Sequence, residues 1–186
     1  MHQSVMDFVL ENMHRYGWHD VERILEVGSY NVNGTVRHDF APEEYIGIDI
    51  AEGPCVDIVM SSHRLQRRFG WGAFDLVLCL EMLEHDRAPW TTVREMLKVC
   101  RPGGWVCATA RGNGFAEHNN PDCYRFMEEG WHALFADAGW EVLEVRADPQ
   151  AQGWFMVARK PENHRDETQK AMERLAAKHA QQVARG

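Results

Sequence analysis

The sequence lacks long apolar segments and metal-binding patterns. No apolar run in its 186 residues approaches the roughly 18 that a membrane-spanning helix needs. The five cysteines, at positions 55, 79, 100, 107 and 123, form no C-x-x-C pair, and no H-x-x-x-H pattern occurs. We therefore expect no membrane span, no metal site, and thiols that stay reduced.

The N-terminus and the charge balance argue against a secreted protein and against a nucleic-acid partner. The first residues, MHQSVMDFVLENM, lack the basic start and long apolar middle of a secretory signal, so we expect a cytoplasmic protein. Asp and Glu outnumber Lys and Arg by 28 to 20, a formal net charge of −8. Such a surface repels phosphate backbones and disfavours a nucleic-acid partner.

Apolar runs of strand length alternate with helical patterns along the chain. Their near-continuous apolar character is typical of strands buried on both faces, as in a parallel sheet. A helix is predicted over residues 3–14 from Val5, Phe8, Val9 and Met13, and others around Trp90–Cys100 and Trp131–Ala138. The five strands are predicted over residues 23–28, 44–50, 55–60, 74–81 and 105–110.

The final pair of strands has a different connection. Residues 140–148 and 153–160 are separated only by Pro149-Gln150-Ala151-Gln152, whereas a parallel crossover needs a dozen residues or more. We therefore predict an antiparallel hairpin at the end of a mostly parallel α/β sheet. The charged, Ala-rich stretch 162–186 is predicted as a helix with a weak apolar stripe, either a solvated tail or an oligomer contact.

The turn after the first strand suggests a ligand at the strand ends. In ILEVGSYNVNG, strand one ends on Glu26 and Val27 before Gly28, and strand two ends on Asp49. Ligands of open α/β sheets bind beyond these carboxyl ends, and an acid about 20 residues after the glycine turn can accept both ribose hydroxyls. A nicotinamide site would show G-x-G-x-x-G, but Tyr30 replaces the second glycine, which argues against a pyrophosphate.

The ordered set of motifs resembles the class I S-adenosylmethionine-dependent methyltransferases. The similarity covers residues 23–160 and lies in ILEVGSYNVNG, YIGIDIAEGPCVDIV, FDLVLCLEMLEH, VCRPGGWVCAT and the closing hairpin. It implies one Rossmann-like methyltransferase domain over residues 1–161, with a seven-stranded sheet, and a helical tail over 162–186. It also implies S-adenosylmethionine as cofactor and transfer of its methyl group to a small-molecule or glycan-like acceptor.

The resemblance assigns residues to the cofactor. Glu26 would organise the first loop, Gly28 would let the cofactor approach the backbone, and Ser29 and Tyr30 would line its tail. Asp49 would hold the ribose and Ile50 the adenine face. Ser61 replaces the aspartate that binds the adenine amino group in the family, so this contact would pass to neighbouring side chains. The remaining predicted contacts are Ser62, His63, Leu80 and Glu81.

The same resemblance places the acceptor beside the end of strand five. His118, Tyr124 and Arg125 in the loop 111–126 would face the acceptor, and His85 and His118 are the predicted bases if a proton must be removed. Two alternatives stay open: a non-catalytic adenosine-binding or scaffold protein, favoured by Tyr30 and Ser61, and a nicotinamide oxidoreductase.

Overall fold

The sheet predicted from the apolar runs is present in the computed structural model, which describes residues 2–116 and 121–164. Within those ranges the sheet has seven strands. They are Arg23–Val27 (β1), Glu44–Asp49 (β2), Ile58–Val59 (β3), Phe74–Leu80 (β4), Cys100–Arg111 (β5), Glu141–Ala147 (β6) and Gly153–Arg159 (β7).

The strand order is β3-β2-β1-β4-β5-β7-β6. β1 pairs in parallel with β2 and β4, and the parallel pairing continues to β3 on one side and to β5 on the other. β7 is antiparallel to both β5 and β6. The mostly parallel sheet with a closing antiparallel hairpin is confirmed, and β1 and β4 lie side by side where the direction of winding reverses.

Within the described residues, four α-helices cover the two faces of the sheet. They are Gln3–Tyr16 (α1), Leu65–Phe69 (α2), Pro89–Val99 (α3) and Glu128–Ala138 (α4). α1 packs with Val5, Phe8, Val9 and Met13 against one face. The other three helices pack against the opposite face, where Trp131 and Phe135 are fully buried. Alternate residues of each central strand therefore enter two different cores.

No α-helix is present between β1 and β2, although such crossovers usually contain one. Residues 28–43 instead form an irregular segment with a short 3-10 turn at Arg37–Asp39. Val36 and Phe40 of this segment are 0% and 8% exposed and belong to the same core as α1. The segment thus takes the place of a helix in covering the sheet.

Two predicted boundaries were wrong. The third strand contains only Ile58 and Val59. Before it, Cys55 has a left-handed backbone, which an extended strand does not allow. The Asp57 carboxylate accepts hydrogen bonds from the Arg37 guanidinium and the Gly47 amide. Cys100, predicted on the third helix, is extended and opens β5. Here the Lys160 ammonium donates to the carbonyls of Leu97 and Cys100, each at 2.8 Å, and so caps the helix end.

The predicted tail helix lies largely outside the described residues, which end at 164, so the boundary at 161/162 and the oligomer contact stay predictions. Over the described ranges, no helix combines the length and apolar character needed to cross a bilayer.

Candidate functional site

The turn after β1 folds back onto the end of β2. The amides of Gly28 and Ser29 both donate to the Ile48 carbonyl, at 2.8 and 2.9 Å, and Gly28 has a left-handed φ of 82°. The Ser29 hydroxyl is buried, and no described residue hydrogen-bonds to it. A buried hydroxyl without a partner carries a desolvation cost, which a bound polar ligand could remove.

Glu26 is a buried carboxyl group below this turn. It is 3% exposed, and the Tyr45 hydroxyl donates to its Oε2 at 2.8 Å. Burial raises the pKa of Glu26 to about 7, against the opposing effect of the Tyr45 hydrogen bond. Burial thus favours the neutral form of this carboxyl group over the charged form.

Asp49 presents its carboxylate at the end of β2. Its two oxygens accept the amides of Tyr30 and Ala51, at 3.4 and 3.1 Å. The next residue, Ile50, is 73% exposed. A fixed carboxylate beside an exposed aliphatic side chain offers a hydrogen-bond acceptor next to an apolar wall.

Tyr30 lies outside the core and is 42% exposed. Its ring covers Gly53 in the loop after β2 so closely that a methyl group on Gly53 would overlap it. The ring therefore lies against the loop after β2, and its contact with the cofactor tail stays a prediction.

The segment after β3 is joined to the start of α3 by side-chain hydrogen bonds. The Ser62 hydroxyl lies 2.7 Å from that of Thr92, which donates to Asp86 at 2.5 Å. His63 Nε2 lies 2.9 Å from the same carboxylate. Ser62 and His63 form part of a continuous polar wall here, and Asp86 and Thr92, which sequence analysis did not select, complete it.

The end of β4 carries a buried row of charges. Leu80 is buried in the same core as α1, while Glu81 has a left-handed φ of 54°. The Glu81 carboxylate pairs with the Arg111 guanidinium, and Asp148 Oδ2 lies 3.8 Å from the same guanidinium. Burial lowers the pKa of Arg111. Arg111 follows the apolar run of strand five as Asp49 follows that of strand two. A search for charged residues that close apolar strands would therefore have selected Arg111 as well.

The predicted base His85 is attached to the neighbouring loop. Its Nδ1 lies 2.7 Å from the Pro121 carbonyl, which can only accept, so this nitrogen carries the hydrogen. The lone pair of the neutral ring is then on Nε2. His118, the other predicted base, is outside the described residues.

Tyr124 and Arg125 make local contacts. The Tyr124 hydroxyl donates to the Arg87 carbonyl at 3.1 Å, and Arg125 binds the Asp122 carboxylate and the Phe115 carbonyl. Below them Glu84 is 1% exposed and accepts the Arg111 amide, and burial raises its pKa to about 7. The contacts hold this loop against the end of β4.

A separate cavity of about 340 Å³ lies between α1 and the β6–β7 hairpin. Glu11 and Arg146 line it and pair with one another. The predicted site residues at the ends of β1 and β2 do not line this cavity. In the described part of the chain, no cluster of three or more His, Cys, Asp or Glu side chains is arranged to hold a metal ion.

Sequence comparison supports one interpretation of these strand ends. Residues 25–108 match the methyltransferase domain family. The ubiquinone biosynthesis O-methyltransferase of Nitrosospira multiformis is 52% identical over 57 residues, which are 31% of this chain and 21% of that protein. The enzyme of the same name from Chromobacterium violaceum is 54% identical over 35 residues, which are 19% and 15% of the two chains. The matches thus span about a fifth or less of the length of these curated relatives.

Solved structures share the fold over most of the chain. The cyclase SpnF aligns with a TM-score of 0.69 at 16% identity, covering 84% of this chain and 81% of its own. A Burkholderia thailandensis N1-methyltransferase, solved with 1,6-didemethyltoxoflavin and S-adenosylhomocysteine, gives 0.66 at 18% identity, covering 84% and 78%. An S-adenosylmethionine-dependent methyltransferase from Methanosarcina mazei gives 0.62 at 16% identity, covering 81% and 97%.

Proposed function

We propose that this chain is a class I S-adenosylmethionine-dependent methyltransferase that methylates a small-molecule acceptor, and the match of residues 25–108 to the methyltransferase domain family supports this. The observation that carries the proposal is the end of β2, where the amides of Tyr30 and Ala51 orient the Asp49 carboxylate beside exposed Ile50. A carboxylate with an apolar neighbour is complementary to the diol and the flat base of adenosine.

The residues at the strand ends fit S-adenosylmethionine, the cofactor of this family. The unpartnered Ser29 hydroxyl and the left-handed Gly28 lie at the turn where the amino-acid portion would bind. Asp49 would hold the ribose, Ile50 and the polar wall of Ser62 and His63 would flank the adenine, and Glu26 would act through the loop above it. Bound there, the cofactor supplies a methyl group already activated by its positive sulfur.

The chain's own contribution is mainly positioning. In-line transfer would require the chain to hold the acceptor atom, the methyl group and the sulfur of the bound cofactor in one line. Alignment of the reacting atoms can lower the barrier by roughly 7–11 kcal/mol. If the acceptor is a hydroxyl, its proton must leave, and His85 Nε2 is the base because the Pro121 carbonyl occupies Nδ1.

A small acceptor agrees with the charge and with one structural neighbour. The net charge of −8 opposes nucleic acid, and the Burkholderia thailandensis neighbour was solved with the small molecule 1,6-didemethyltoxoflavin. A glycan-like metabolite is the second acceptor class that we propose.

A non-catalytic adenosine-binding protein is the alternative, since Ser61 replaces an adenine contact and one neighbour with this fold is a cyclase. Against it, the Tyr30 ring covers Gly53 and is 42% exposed instead of filling the core. Turnover of an acceptor would separate the two functions.

Titration calorimetry with S-adenosylmethionine tests the proposal. Asp49→Ala should weaken binding at least about tenfold, since hydrogen bonds to a charged group contribute roughly 1.5–3 kcal/mol each. Glu52→Ala, which removes an exposed carboxylate from the same loop, should leave the affinity unchanged. Equal affinity of Asp49→Ala and the natural protein would contradict the cofactor assignment.

A further inference from the structure

Three charged side chains form a buried row along the carboxyl edge of the sheet. Glu81 follows β4, Arg111 ends β5, and Asp148 follows β6, so the charges alternate as negative, positive and negative. We propose that this row, through Glu81, makes the site bind positively charged S-adenosylmethionine in preference to neutral S-adenosylhomocysteine. The inference rests on the proposed function and adds a selectivity determinant to it.

Glu81 is held in a single arrangement. Its amide donates to both the carbonyl and the hydroxyl of Thr109, at 3.0 and 3.1 Å, and its backbone is left-handed at φ 54°. A non-glycine residue in this conformation is strained and persists only where its surroundings fix it. Its side chain is 14% exposed, so solvent screens its charge little.

Arg111 is the residue that fixes the Glu81 carboxylate. The guanidinium is 6% exposed and lies 4.5 Å from the centre of the Phe115 ring, which limits its movement. Asp148, directly after β6, has a fully buried side chain, and its Oδ2 lies 3.8 Å from Nη1 of Arg111. Arg111 is thus a positioning residue, placed between two carboxylates.

The order of the strands determines the sign of the field at the cofactor. β4 lies between β1 and β5, whereas β7 and β6 lie beyond β5. Neighbouring strands are about 4.8 Å apart, so Glu81 is nearest to the β1 turn, Arg111 is one strand further and Asp148 further still. The nearest charge is negative and the row carries one more acid than base, so the row's own contribution to the potential at the β1–β4 crevice is negative.

A negative potential there discriminates between cofactor and product. The two ligands differ by one methyl group and one positive charge on sulfur, so a charge-selective site should release the neutral product more readily. A purely structural role for the row would instead change both affinities by the same factor.

The test is calorimetric titration of both ligands into the natural protein and three variants. The measured quantity is the S-adenosylhomocysteine Kd divided by the S-adenosylmethionine Kd. Glu81→Gln should lower this ratio about threefold or more. Arg111→Lys, which keeps the charge, should leave it within about twofold even if both affinities fall. Glu129→Gln makes the same chemical change on the exposed surface of α4 and should have no effect.

The outcomes separate the inference from the proposed function. Normal binding of both ligands with an unchanged ratio in Glu81→Gln overturns the inference alone. Failure of the natural protein to bind either ligand overturns the proposed function and the inference together. If circular dichroism shows that Glu81→Gln does not fold, Asp148→Asn replaces it, because it removes a negative charge from the same row and should lower the ratio.

Discussion

The Met82 side chain lies directly against the backbone of Gly28, so that a Cβ added to this glycine would overlap both Cβ and Cγ of Met82. The two residues follow β4 and β1, and their contact joins the two strand ends between which the cofactor is proposed to bind. Gly28 is therefore required by the protein's own packing as well as by a ligand.

Gly28→Ala should destabilise the protein even without cofactor. The left-handed φ of 82° disfavours alanine by about 1–2 kcal/mol, and the overlap with Met82 adds to this cost. Urea unfolding of Gly28→Ala, Met82→Ala and the double variant should show that Met82→Ala relieves only part of the cost, because it removes the overlap with Cγ but leaves the overlap with Cβ and the backbone strain. A Gly28→Ala variant as stable as the natural protein would show that the glycine serves only the ligand.

Tyr30→Gly should change S-adenosylmethionine affinity by no more than a few-fold. The ring lies over Gly53, and the contact that Tyr30 makes with Asp49 comes from its backbone amide, which glycine retains. Gly53→Ala should disturb binding more, because the added methyl group displaces the ring toward the site, and Tyr30→Gly in that background should restore it. Tight binding that appears only after Tyr30→Gly would instead identify Tyr30 as a plug and favour the non-catalytic function.

Glu84 should make folding stability decrease as the pH rises from about 4.5 to about 7. Its folded pKa of about 7 exceeds its ordinary value of 4.5, so in this window the folded chain holds a proton that the unfolded chain has released. Its contribution is therefore fully present below pH 4.5 and is lost through pH 7, a change of roughly 3 kcal/mol at most.

Urea unfolding of Glu84→Gln at a series of pH values measures this effect. The variant cannot titrate at this position. Its stability should therefore decrease less than that of the natural protein between pH 5 and pH 7, the range that leads up to the Glu84 pKa of about 7. Glu129→Gln, on the exposed surface, should follow the natural protein. Parallel curves for Glu84→Gln and the natural protein would place the pKa of Glu84 in its ordinary range.

His85→Gln should spare cofactor binding and slow transfer to a hydroxyl acceptor by about a hundredfold or more, the usual contribution of a general base. His132→Gln makes the same chemical change at an exposed position of α4 and should leave the rate unchanged. Stopped assays with radiolabelled S-adenosylmethionine provide the rate once an acceptor is found. Normal turnover in His85→Gln would exclude it as the base.

The parallel sheet and its closing hairpin could be predicted because both depend on patterns within short segments of the sequence. The apolar runs at β1 and β4 need burial on both faces, and the four residues between β6 and β7 are too few for a crossover. Asp49 was selected by the same reasoning, since an acid that closes an apolar strand needs a partner.

Side-chain pairs distant in sequence could not be predicted in this way. Glu81, Arg111 and Asp148 meet only because β4, β5 and the hairpin turn share one edge of the sheet. The two-residue β3 depends likewise on Arg37, which binds Asp57 from the preceding crossover. Periodicity within a segment carries no information about such partners.

The crossover from β1 to β2 contributes both to the core and to the rim of the proposed site. Val36 and Phe40 are buried against α1, and Tyr30 in the same segment donates its amide to Asp49. With no α-helix in residues 28–43 to separate the two roles, mutations that reshape the rim should also disturb the packing beneath it. Directed evolution toward bulkier cofactor analogues should therefore yield pairs of changes, one in this crossover and a compensating one on α1.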